Sequence, residues 1–374
     1  MNKIMETQKK IHVGMLFGGN SSEHDVSKRS AHNIYDAMDK NKYEIDLFLI
    51  TKNGIVLSDA ATRRVFDGEP EDQVVAEEMP KLDMSDPLAP IKNLTLAKDI
   101  DIFYPVVHGN LGEDGTLQGL FKLLKKPYVG SGVLASAASF DKDITKQILT
   151  HHHIQNTKYV VVTPENRDQM TYAYLQAHVG DHLFIKPANQ GSSIGIHKAE
   201  NEQEYLDGLA DAFKYDYKIL VEESIDNPRE VECSILGNEN PKASKLGAID
   251  VPKTDTFYDY NNKFVDASGV TFELPVELPA DLTKRIQQMS LDAFKALGLK
   301  GMARVDFLVS EDGEPYLGEI NTLPGFTNIS LYPKLWEVSG ISYTALIDQL
   351  IQLGFDEFKR QSDIHYDFVA LDAE

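Results

Sequence analysis

A carboxylate and a carboxamide stand two residues apart at Glu319 and Asn321, within residues 316–321. The apolar residues that open this run predict a β-strand, and residues two apart in a strand project from the same face. Oxygen-bearing side chains grouped in this way are typical ligands of a hard cation such as Mg²⁺.

A second strand pattern covers residues 303–309, where Arg304 and Asp306 share one face. The Asp-Gly pair within residues 310–314 favours a hairpin turn between the two strands. This hairpin would bring Asp306 beside Glu319 and Asn321. Since Mg²⁺ often takes further ligands from substrate phosphates, the set predicts a nucleotide site. The alternative is that each acid is an ordinary solvated side chain.

A second group of polar residues suits phosphate binding. Residues 183–187 predict a strand that carries Lys186, and residues 188–196 form a loop rich in Gly and Ser before another strand. Backbone amides, hydroxyls and a lysine can together bind phosphate oxygens. The loop is not a Walker loop, and it can also be interpreted as an ordinary hairpin turn.

Two acids flank the turn between the next two predicted strands, residues 217–223 and 231–236. Glu222 ends the first strand, and Glu230 immediately precedes the second. Acids in such positions beside a nucleotide loop can accept hydrogen bonds from adenine or ribose, but taken alone they are more typical of surface charge.

The N-terminal part begins with a strand at residues 11–17, a glycine-rich turn at 18–25 and a helix at 26–38. This order predicts a Rossmann-like unit, but the glycine spacing is not that of a dinucleotide-binding motif. Glu23 lies near the helix start, where it is either functional or simply a favourable first-turn acid.

His108 follows a strand predicted at residues 100–107, at the carboxyl end where α/β sheets place ligands. Residues 250–270 match neither a helix nor a strand period, and their aromatic residues favour a lid loop. The remaining predicted elements are a strand at 43–50, an acidic loop region at 67–90, and helices at 116–124, 133–151, 281–297 and 343–353.

Composition narrows the class of protein. The 374 residues allow two or three domains, and 42% hydrophobic with 25% charged residues is ordinary for a globular protein. A net charge of −21 argues against nucleic-acid binding. Without an 18-residue apolar run or a leader-like N-terminus, we expect no membrane partner and a cytoplasmic location. The single cysteine, Cys233, is predicted to be buried in a strand.

Taken together, these motifs resemble the D-alanine:D-alanine ligase family of ATP-grasp enzymes. The resemblance covers nearly the whole chain, from Gly-Gly-Asn-Ser-Ser-Glu-His-Asp-Val-Ser at Gly18 to Glu-Ile-Asn-Thr-Leu-Pro-Gly-Phe-Thr at Glu319. It implies an α/β ATP-grasp fold with three domains: a Rossmann-like domain at 1–139, a central domain at 140–228 and a C-terminal domain at 229–374. It also implies a homodimer that makes peptidoglycan precursors.

The resemblance also implies a role for each motif residue. In the family's reaction, ATP phosphorylates the carboxylate of D-alanine, and a second substrate attacks the acyl phosphate. The residues implied to bind ATP are Lys142, Lys186 and Ser193 for the phosphates, Glu222 for adenine and Glu230 for ribose. Asp306, Glu319 and Asn321 would bind two Mg²⁺ ions, which Mn²⁺ can replace.

The implied substrate contacts lie at both ends of the chain. Glu23 would pair with the ammonium group of the first D-alanine, with His108 close by. The remaining implied residues are Arg304 and the amide of Gly325 for the oxyanion, Lys263 for the transferring phosphate, and Ser330 for the carboxylate of the second substrate.

Two positions depart from the family pattern. Glu223 stands where the family often has Lys, which affects the adenine contact. Phe264 stands where typical members have a Tyr whose hydroxyl joins a network with the residues matching Ser192 and Glu23. Phenylalanine cannot form that bond, and members with Phe resemble ligases that prefer D-lactate as second substrate.

The resemblance therefore implies an ATP-dependent D-alanine:D-lactate ligase that retains D-alanine:D-alanine activity. An ordinary D-alanine:D-alanine ligase, with Phe264 as simple packing, is the alternative. Another ATP-grasp ligase should lack the Glu23 turn and Ser330. A nucleotide-binding regulator without chemistry should lack Arg304 or a metal ligand, so the presence of these residues disfavours both.

Overall fold

The computed structural model describes residues 9–250 and 271–364, and in these ranges the strands form three separate sheets. The first sheet has three parallel strands in the order β2-β1-β3. They are β1 (Ile11–Gly18), β2 (Tyr43–Ile50) and β3 (Ile102–Pro105). The predicted parallel strands are therefore present, and their carboxyl ends carry the glycine-rich turn and His108.

Helices accompany this sheet. They are α1 (His24–Ala37), α2 (Asp59–Phe66), α3 (Glu71–Glu78), α4 (Lys92–Leu96), α5 (Thr116–Leu123) and α6 (Val133–Phe140), with short 3₁₀ turns at Met79–Lys81 and Ala89–Ile91. Gly18 has φ 91°, and a Cβ there would lie 2.3 Å from the Ile50 carbonyl oxygen. Only glycine allows the chain to turn so closely past β2.

Two sequence predictions in this region are wrong in part. The region predicted as loop contains α3, which begins after Pro70 and carries Glu71 and Asp72 in its first turn, where acids favour the helix dipole. The helix predicted at 133–151 is broken at Asp141, whose carboxylate accepts hydrogen bonds from the amides of the next helix, α7 (Lys142–His151). A cap of this kind begins a new helix rather than continuing the old one.

The second sheet has four antiparallel strands in the order β4-β7-β5-β6. They are β4 (Tyr159–Val162), β5 (Leu183–Pro187), β6 (His197–Ala199) and β7 (Ile219–Glu223), with helices α8 (Tyr172–His178) and α9 (Glu202–Ala212). The predicted strand at 183–187 is confirmed, and it places Lys186 beside β7.

The third sheet has five antiparallel strands in the order β10-β9-β8-β11-β12. They are β8 (Arg229–Gly237), β9 (Lys242–Asp250), β10 (Thr271–Glu273), β11 (Gly301–Val309) and β12 (Pro315–Asn321). The helices of this part are α10 (Ala280–Ala296), α11 (Leu331–Val338) and α12 (Tyr343–Ser362), the last longer than predicted. Cys233 is buried in β8, as expected.

The hairpin that the sequence predicts is confirmed by strands β11 and β12. In their register Arg304 lies opposite Asn321, and Asp306 lies opposite Glu319. A bulge next to Asp306 leaves Gly318 unpaired in this register. Because the apolar residues of β11 alternate with these polar ones, one face packs into the core and the other carries the polar set.

The first and third parts of the chain share a hydrophobic core. Met15 and Tyr104 of the first sheet belong to the same buried cluster as Trp336 of α11 and Leu350 of α12. The second sheet has a cluster of its own, which includes Leu175. The domain boundaries at 139/140 and 228/229 remain a prediction. No helix in the described part of the chain has the length and apolar character needed to cross a bilayer.

Candidate functional site

A cavity brings together residues that the sequence analysis had assigned to different steps of one reaction. It is bounded by the start of α1, the start of α7, the loop after β5 and the end of β12. The predicted site residues in its lining are Glu23, Lys142, Ser192, Glu319 and Asn321.

Glu23 is held by a contact across 169 residues. The Oγ of Ser192 donates a hydrogen bond of 2.6 Å to Glu23 Oε1. A Cβ added to Gly109 would lie 3.1 Å from Glu23 Oε2, and a Cβ added to Gly191 would lie 3.2 Å from the same oxygen. These two glycines allow the backbone to approach Glu23 closely, and Ser192 itself has a left-handed φ of 54°. Glu23 is therefore a positioned carboxylate, which favours a function over a simple first-turn role.

Lys142 reaches the cavity because α7 begins at this residue. Its Nζ donates a hydrogen bond of 2.5 Å to the carbonyl oxygen of Gln190, and its amide donates one of 3.0 Å to Ala188. Both contacts lie in the loop after β5, which also contains Ser193. The break at Asp141 thus places a lysine at a helix N-terminus, beside a Gly/Ser loop that suits an anion.

Lys186 and Glu222 face each other across β5 and β7, with Lys186 Nζ 3.1 Å from Glu222 Oε2. A second lysine, Lys146, lies 3.5 Å from Glu222 Oε1 and donates a 2.6 Å hydrogen bond to Thr157 Oγ1. Thr157 in turn donates to Glu222 over 3.0 Å. Two lysines therefore share one buried carboxylate.

The charge of Glu222 follows from these neighbours. Burial raises the pKa of Glu222, but Lys146 and Lys186 outweigh burial and lower it to about 2. Its Oε1 has no hydrogen-bond partner in the described part of the chain. An ionised carboxylate can accept a hydrogen bond from an adenine amino group, and the contact of Glu222 with adenine remains a prediction.

The two neighbouring acids, Glu223 and Glu230, do not take part in the ion pairs of Glu222 described above. Glu223 accepts a 2.8 Å hydrogen bond from the amide of Lys158, so its carboxylate is used at the edge of β4. Glu230 lies in β8, opposite Leu308 and Ile249 of the adjacent strands. The predicted contact of Glu230 with ribose remains a prediction.

The predicted metal ligands lie together on the hairpin of β11 and β12. Asn321 Nδ2 donates a 3.0 Å hydrogen bond to Asp306 Oδ2, which leaves the amide oxygen of Asn321 as an acceptor. Among the described residues, His, Cys, Asp and Glu alone form no cluster of three that could hold a metal. Two carboxylates and an amide oxygen nevertheless match the hard oxygen donors that Mg²⁺ prefers, so the residues fit the cation.

Arg304 neighbours this set. Its Nε and one terminal nitrogen donate to both oxygens of Asp306 over 2.8 and 2.7 Å, and Nε lies 3.1 Å from Glu232. Burial alone would lower the pKa of Arg304, but Asp306 and Glu232 raise it well above its usual range. The guanidinium is a fixed positive charge beside the predicted metal ligands.

The segment after β12 carries the other predicted substrate contacts. A Cβ on Gly325 would lie 2.8 Å from Ser330 Oγ, so the two residues are in close approach. Ser330 Oγ accepts a 2.9 Å hydrogen bond from the amide of Thr327. The predicted roles of Gly325 and Ser330 remain predictions; Ser330 immediately precedes α11, and Gly325 lies in the segment between β12 and α11.

His108 is buried, and both of its ring nitrogens have protein partners. Nδ1 lies 2.9 Å from the carbonyl oxygen of Leu323, and Nε2 lies 3.1 Å from Ser30 Oγ. Burial lowers the pKa of His108, which favours the neutral ring. The ring contacts the C-terminal segment directly, and the predicted proximity of His108 to the first substrate remains a prediction.

Sequence reasoning missed two residues of this region. Lys146 lies one helical turn after Lys142, a spacing that could have indicated a second lysine on the same helix face. Glu113 lines the cavity and belongs to the same glycine-rich run as His108. Burial and the charge of Glu23 raise the pKa of Glu113 to about 7. Lys263 and Phe264 lie outside the described residues.

Comparison with known proteins gives a consistent result. Residues 12–131 match the family described as "D-ala D-ala ligase N-terminus", and residues 148–352 match "D-ala D-ala ligase C-terminus". A D-alanine--D-alanine ligase from Levilactobacillus brevis is 71% identical, with 98% of this chain and 97% of that protein covered.

Two solved structures are similar over nearly the whole chain. The D-alanine-D-alanine ligase from Coxiella burnetii is 34% identical with a TM-score of 0.79, covering 95% of this chain and 97% of that one. The ligase from Bacillus anthracis complexed with ATP is 30% identical with a TM-score of 0.71, covering 94% and 100%. The α/β ATP-grasp fold predicted from the sequence is confirmed, and the chain belongs to the D-alanine--D-alanine ligase family.

Proposed function

We propose that this protein uses ATP to join D-alanine to a second D-alanine, giving the dipeptide that peptidoglycan precursors require. The observation that carries the proposal is that Glu23, Lys142, Ser192, Glu319 and Asn321 line the same cavity. The names of its relatives support D-alanine as the second substrate.

In the proposed reaction, a carboxylate oxygen of D-alanine attacks the γ-phosphorus of ATP, and ADP leaves. Lys142 and the loop that contains Ser193 supply positive charge and donors for the phosphates, at one side of the cavity. Glu222 accepts from adenine, and Lys186 can turn from Glu222 toward a phosphate because Lys146 stays with the carboxylate. Asp306, Glu319 and Asn321 would hold Mg²⁺, which neutralises phosphate oxygens when bound.

The amine of the second substrate then attacks the acyl phosphate carbon, and inorganic phosphate leaves. Glu23 binds the ammonium group of the first D-alanine, and Ser192 fixes the orientation of the Glu23 carboxylate through the 2.6 Å hydrogen bond. Arg304 and the amide of Gly325 stabilise the oxyanion that forms at the attacked carbon. Ser330 binds the carboxylate of the second substrate.

A second candidate function uses D-lactate as the second substrate. It is favoured by Phe264, which lacks the hydroxyl that typical members add to the Glu23–Ser192 pair. An amine nucleophile must lose a proton before it attacks, whereas the hydroxyl of lactate is neutral. Small changes in the polarity of the site can therefore shift the choice between the two nucleophiles.

A competition assay tests both candidates. Enzyme, Mg-ATP, D-alanine and an equal concentration of D-lactate are incubated at pH 6 to 9, and products are separated by mass. Dipeptide throughout supports the first candidate, and depsipeptide at neutral pH supports the second. ADP without either product contradicts both.

Phe264→Tyr tests the residue behind the second candidate. If Phe264 sets the selectivity, this variant should shift the product ratio toward dipeptide by about tenfold, corresponding to about 1.4 kcal/mol. Phe355→Tyr, on α12, is the matched control and should leave the ratio unchanged. An unshifted ratio in Phe264→Tyr would refute a role for this residue.

Glu319→Ala tests the metal assignment. The loss of one of two carboxylate ligands should abolish turnover at millimolar Mg²⁺. Glu311→Ala, an exposed acid in the turn of the same hairpin, is the control and should retain wild-type rates. Wild-type turnover in Glu319→Ala would exclude it as a ligand. We also propose the domain boundaries given above. We further propose a homodimer, and gel filtration with light scattering would test this oligomeric state.

A further inference from the structure

Residues 323–326 follow the predicted metal ligands of β12 and contain Gly325. The N-terminal part of the chain binds the first residue of this segment, Leu323. The amide of Leu323 donates a 3.0 Å hydrogen bond to Glu113 Oε1. The carbonyl oxygen of Leu323 accepts a 2.9 Å hydrogen bond from His108 Nδ1. Both backbone groups of Leu323 are therefore bound by side chains from the loop after β3.

The last residue of the segment, Phe326, is held by two side chains of α1 and one of α12. The amide of Phe326 donates a 3.1 Å hydrogen bond to Ser30 Oγ, and its carbonyl oxygen accepts from Asn33 Nδ2 over 2.8 Å and from the Tyr343 hydroxyl over 2.9 Å. Since both ends of the segment are fixed, the position of the intervening Gly325 amide is set by its neighbours.

Hydrogen bonds join the two ends into one circuit. Because His108 Nδ1 donates to Leu323, its Nε2 in the neutral ring accepts from Ser30 Oγ, which itself accepts from Phe326. The circuit fixes the tautomer of His108.

Glu113 uses both carboxylate oxygens. Oε2 accepts a 2.9 Å hydrogen bond from the amide of Gly109, while Oε1 accepts from Leu323. The side chain is buried, with 9% exposed, and it lines the same cavity as Glu23. Glutamine has one acceptor oxygen, so its amino group would face one of these two N–H donors. The site therefore requires a carboxyl group, not merely a polar side chain of that length.

We propose that Glu113 is a positioning residue for the ligation step, which it serves by fixing Leu323 and, through it, the Gly325 amide at the attacked carbon. This inference rests on the proposed function. Glu113 need not touch either substrate. Its removal should slow the chemical step while the binding of ATP, proposed to depend on Lys142, the loop after β5 and Glu222, stays the same.

Glu113→Gln is the first test, with kcat, the KM for ATP and the melting temperature measured together. We expect kcat to fall at least tenfold while the KM for ATP stays within twofold. Glu113→Asp keeps both acceptors on a shorter side chain, so its kcat should lie between those of Glu113→Gln and the wild type.

Asp59→Asn is the matched control, since both carboxylate oxygens of Asp59 likewise accept hydrogen bonds, one from the amide of Leu47 and one from the side chain of Arg63. It should lose stability and keep its kcat. Wild-type kcat in Glu113→Gln overturns the proposal, and so does a loss of activity that accompanies an equal fall in Asp59→Asn. If Glu113→Gln does not fold, wild-type kcat in Glu113→Asp overturns it. A wild-type protein without ligase activity would refute the proposed function instead.

Discussion

At the scale of residues, the ion pairs around Glu222 differ from those at the surface. Lys146 and Glu222 are both almost fully buried, whereas Lys158 is exposed beside Glu223. A buried charge that loses its partner keeps its desolvation penalty, while an exposed charge is solvated by water. The pairs that Lys146 and Lys158 form with the adjacent glutamates of β7 therefore provide a direct comparison.

Lys146→Met should lower the free energy of unfolding by about 3 kcal/mol, because Glu222 would retain only Lys186 as a charged partner. Lys158→Met, the exposed control, should change it by less than about 1 kcal/mol. Urea unfolding followed by circular dichroism measures both. Equal effects of the two substitutions would contradict the structural distinction.

Glu71 predicts how stability depends on pH. Burial raises the pKa of Glu71, but hydrogen bonds from His24 and Lys28 outweigh burial and lower the pKa from 4.5 to about 2. Because the folded protein binds this proton less readily than the unfolded chain, the stabilisation by Glu71 is present above about pH 4.5 and is lost toward pH 2.

Comparison of the wild type with Glu71→Gln at several pH values tests the direction of this pH dependence. The wild type should be more stable than the variant at pH 6, and the difference should shrink between pH 4.5 and pH 3. Urea unfolding at each pH gives the difference. A difference that grows as the pH falls would show that the proton linkage has the opposite sign.

At the scale of elements, helix α12 packs closely against the first part of the chain at Gly354. A Cβ on Gly354 would lie 2.7 Å from the carbonyl oxygen of Tyr128 and 2.9 Å from Ile102 Cδ1. Gly119 of α5 is also a helix glycine, but an added Cβ there would meet nothing within 4 Å. The helix propensity of alanine is the same at both positions, so packing alone distinguishes them.

Gly354→Ala should therefore destabilise the protein by about 1–3 kcal/mol, because the helix must move away from the backbone of Tyr128. Gly119→Ala should stabilise it by up to about 1 kcal/mol through helix propensity. Thermal and urea unfolding compare the two. A stabilising Gly354→Ala would mean that α12 does not pack as described.

The elements themselves were largely predictable from local patterns. Apolar alternation identified β11 and β12, and Asp-Gly identified their turn, since both signals reside in neighbouring residues. The break at Asp141 was missed because the apolar pattern continues through it. It is Lys218, immediately before β7, that binds the Asp141 carboxylate through a 2.6 Å hydrogen bond.

At the scale of the whole molecule, the hydrophobic clusters do not follow chain order. Leu350 of α12 is buried in the cluster of the N-terminal sheet, whereas Leu175 of α8 is buried in the separate cluster of the second sheet. The shared cluster therefore predicts that α12 stabilises β1, which lies more than 300 residues earlier in the chain.

Leu350→Ala should lower hydrogen-exchange protection in β1, at a cost of about 2–5 kcal/mol for the cavity, while the amides of β5 and β7 are affected less. Leu175→Ala should give the reverse pattern. Exchange followed by mass spectrometry measures both. If both variants lowered protection equally in all three sheets, the cores would behave as one unit.

The sequence by itself determined the family, the main strands and most of the residues that carry chemistry. Motifs such as residues 319–327 combine backbone geometry with ligand chemistry, and both are encoded locally. It also identified Lys263 and Phe264, which the structure does not describe. The choice between D-alanine and D-lactate depends on Phe264 and awaits the competition assay.

Only the tertiary structure decided which of these residues work together. The bond between Ser192 and Glu23 spans 169 residues, and the bond between Leu323 and Glu113 spans 210. Strand and helix periods report which face a side chain leaves, but not which distant element packs against that face. The packing of the three sheets sets these contacts, because a buried carboxylate finds its donors only where separate elements meet.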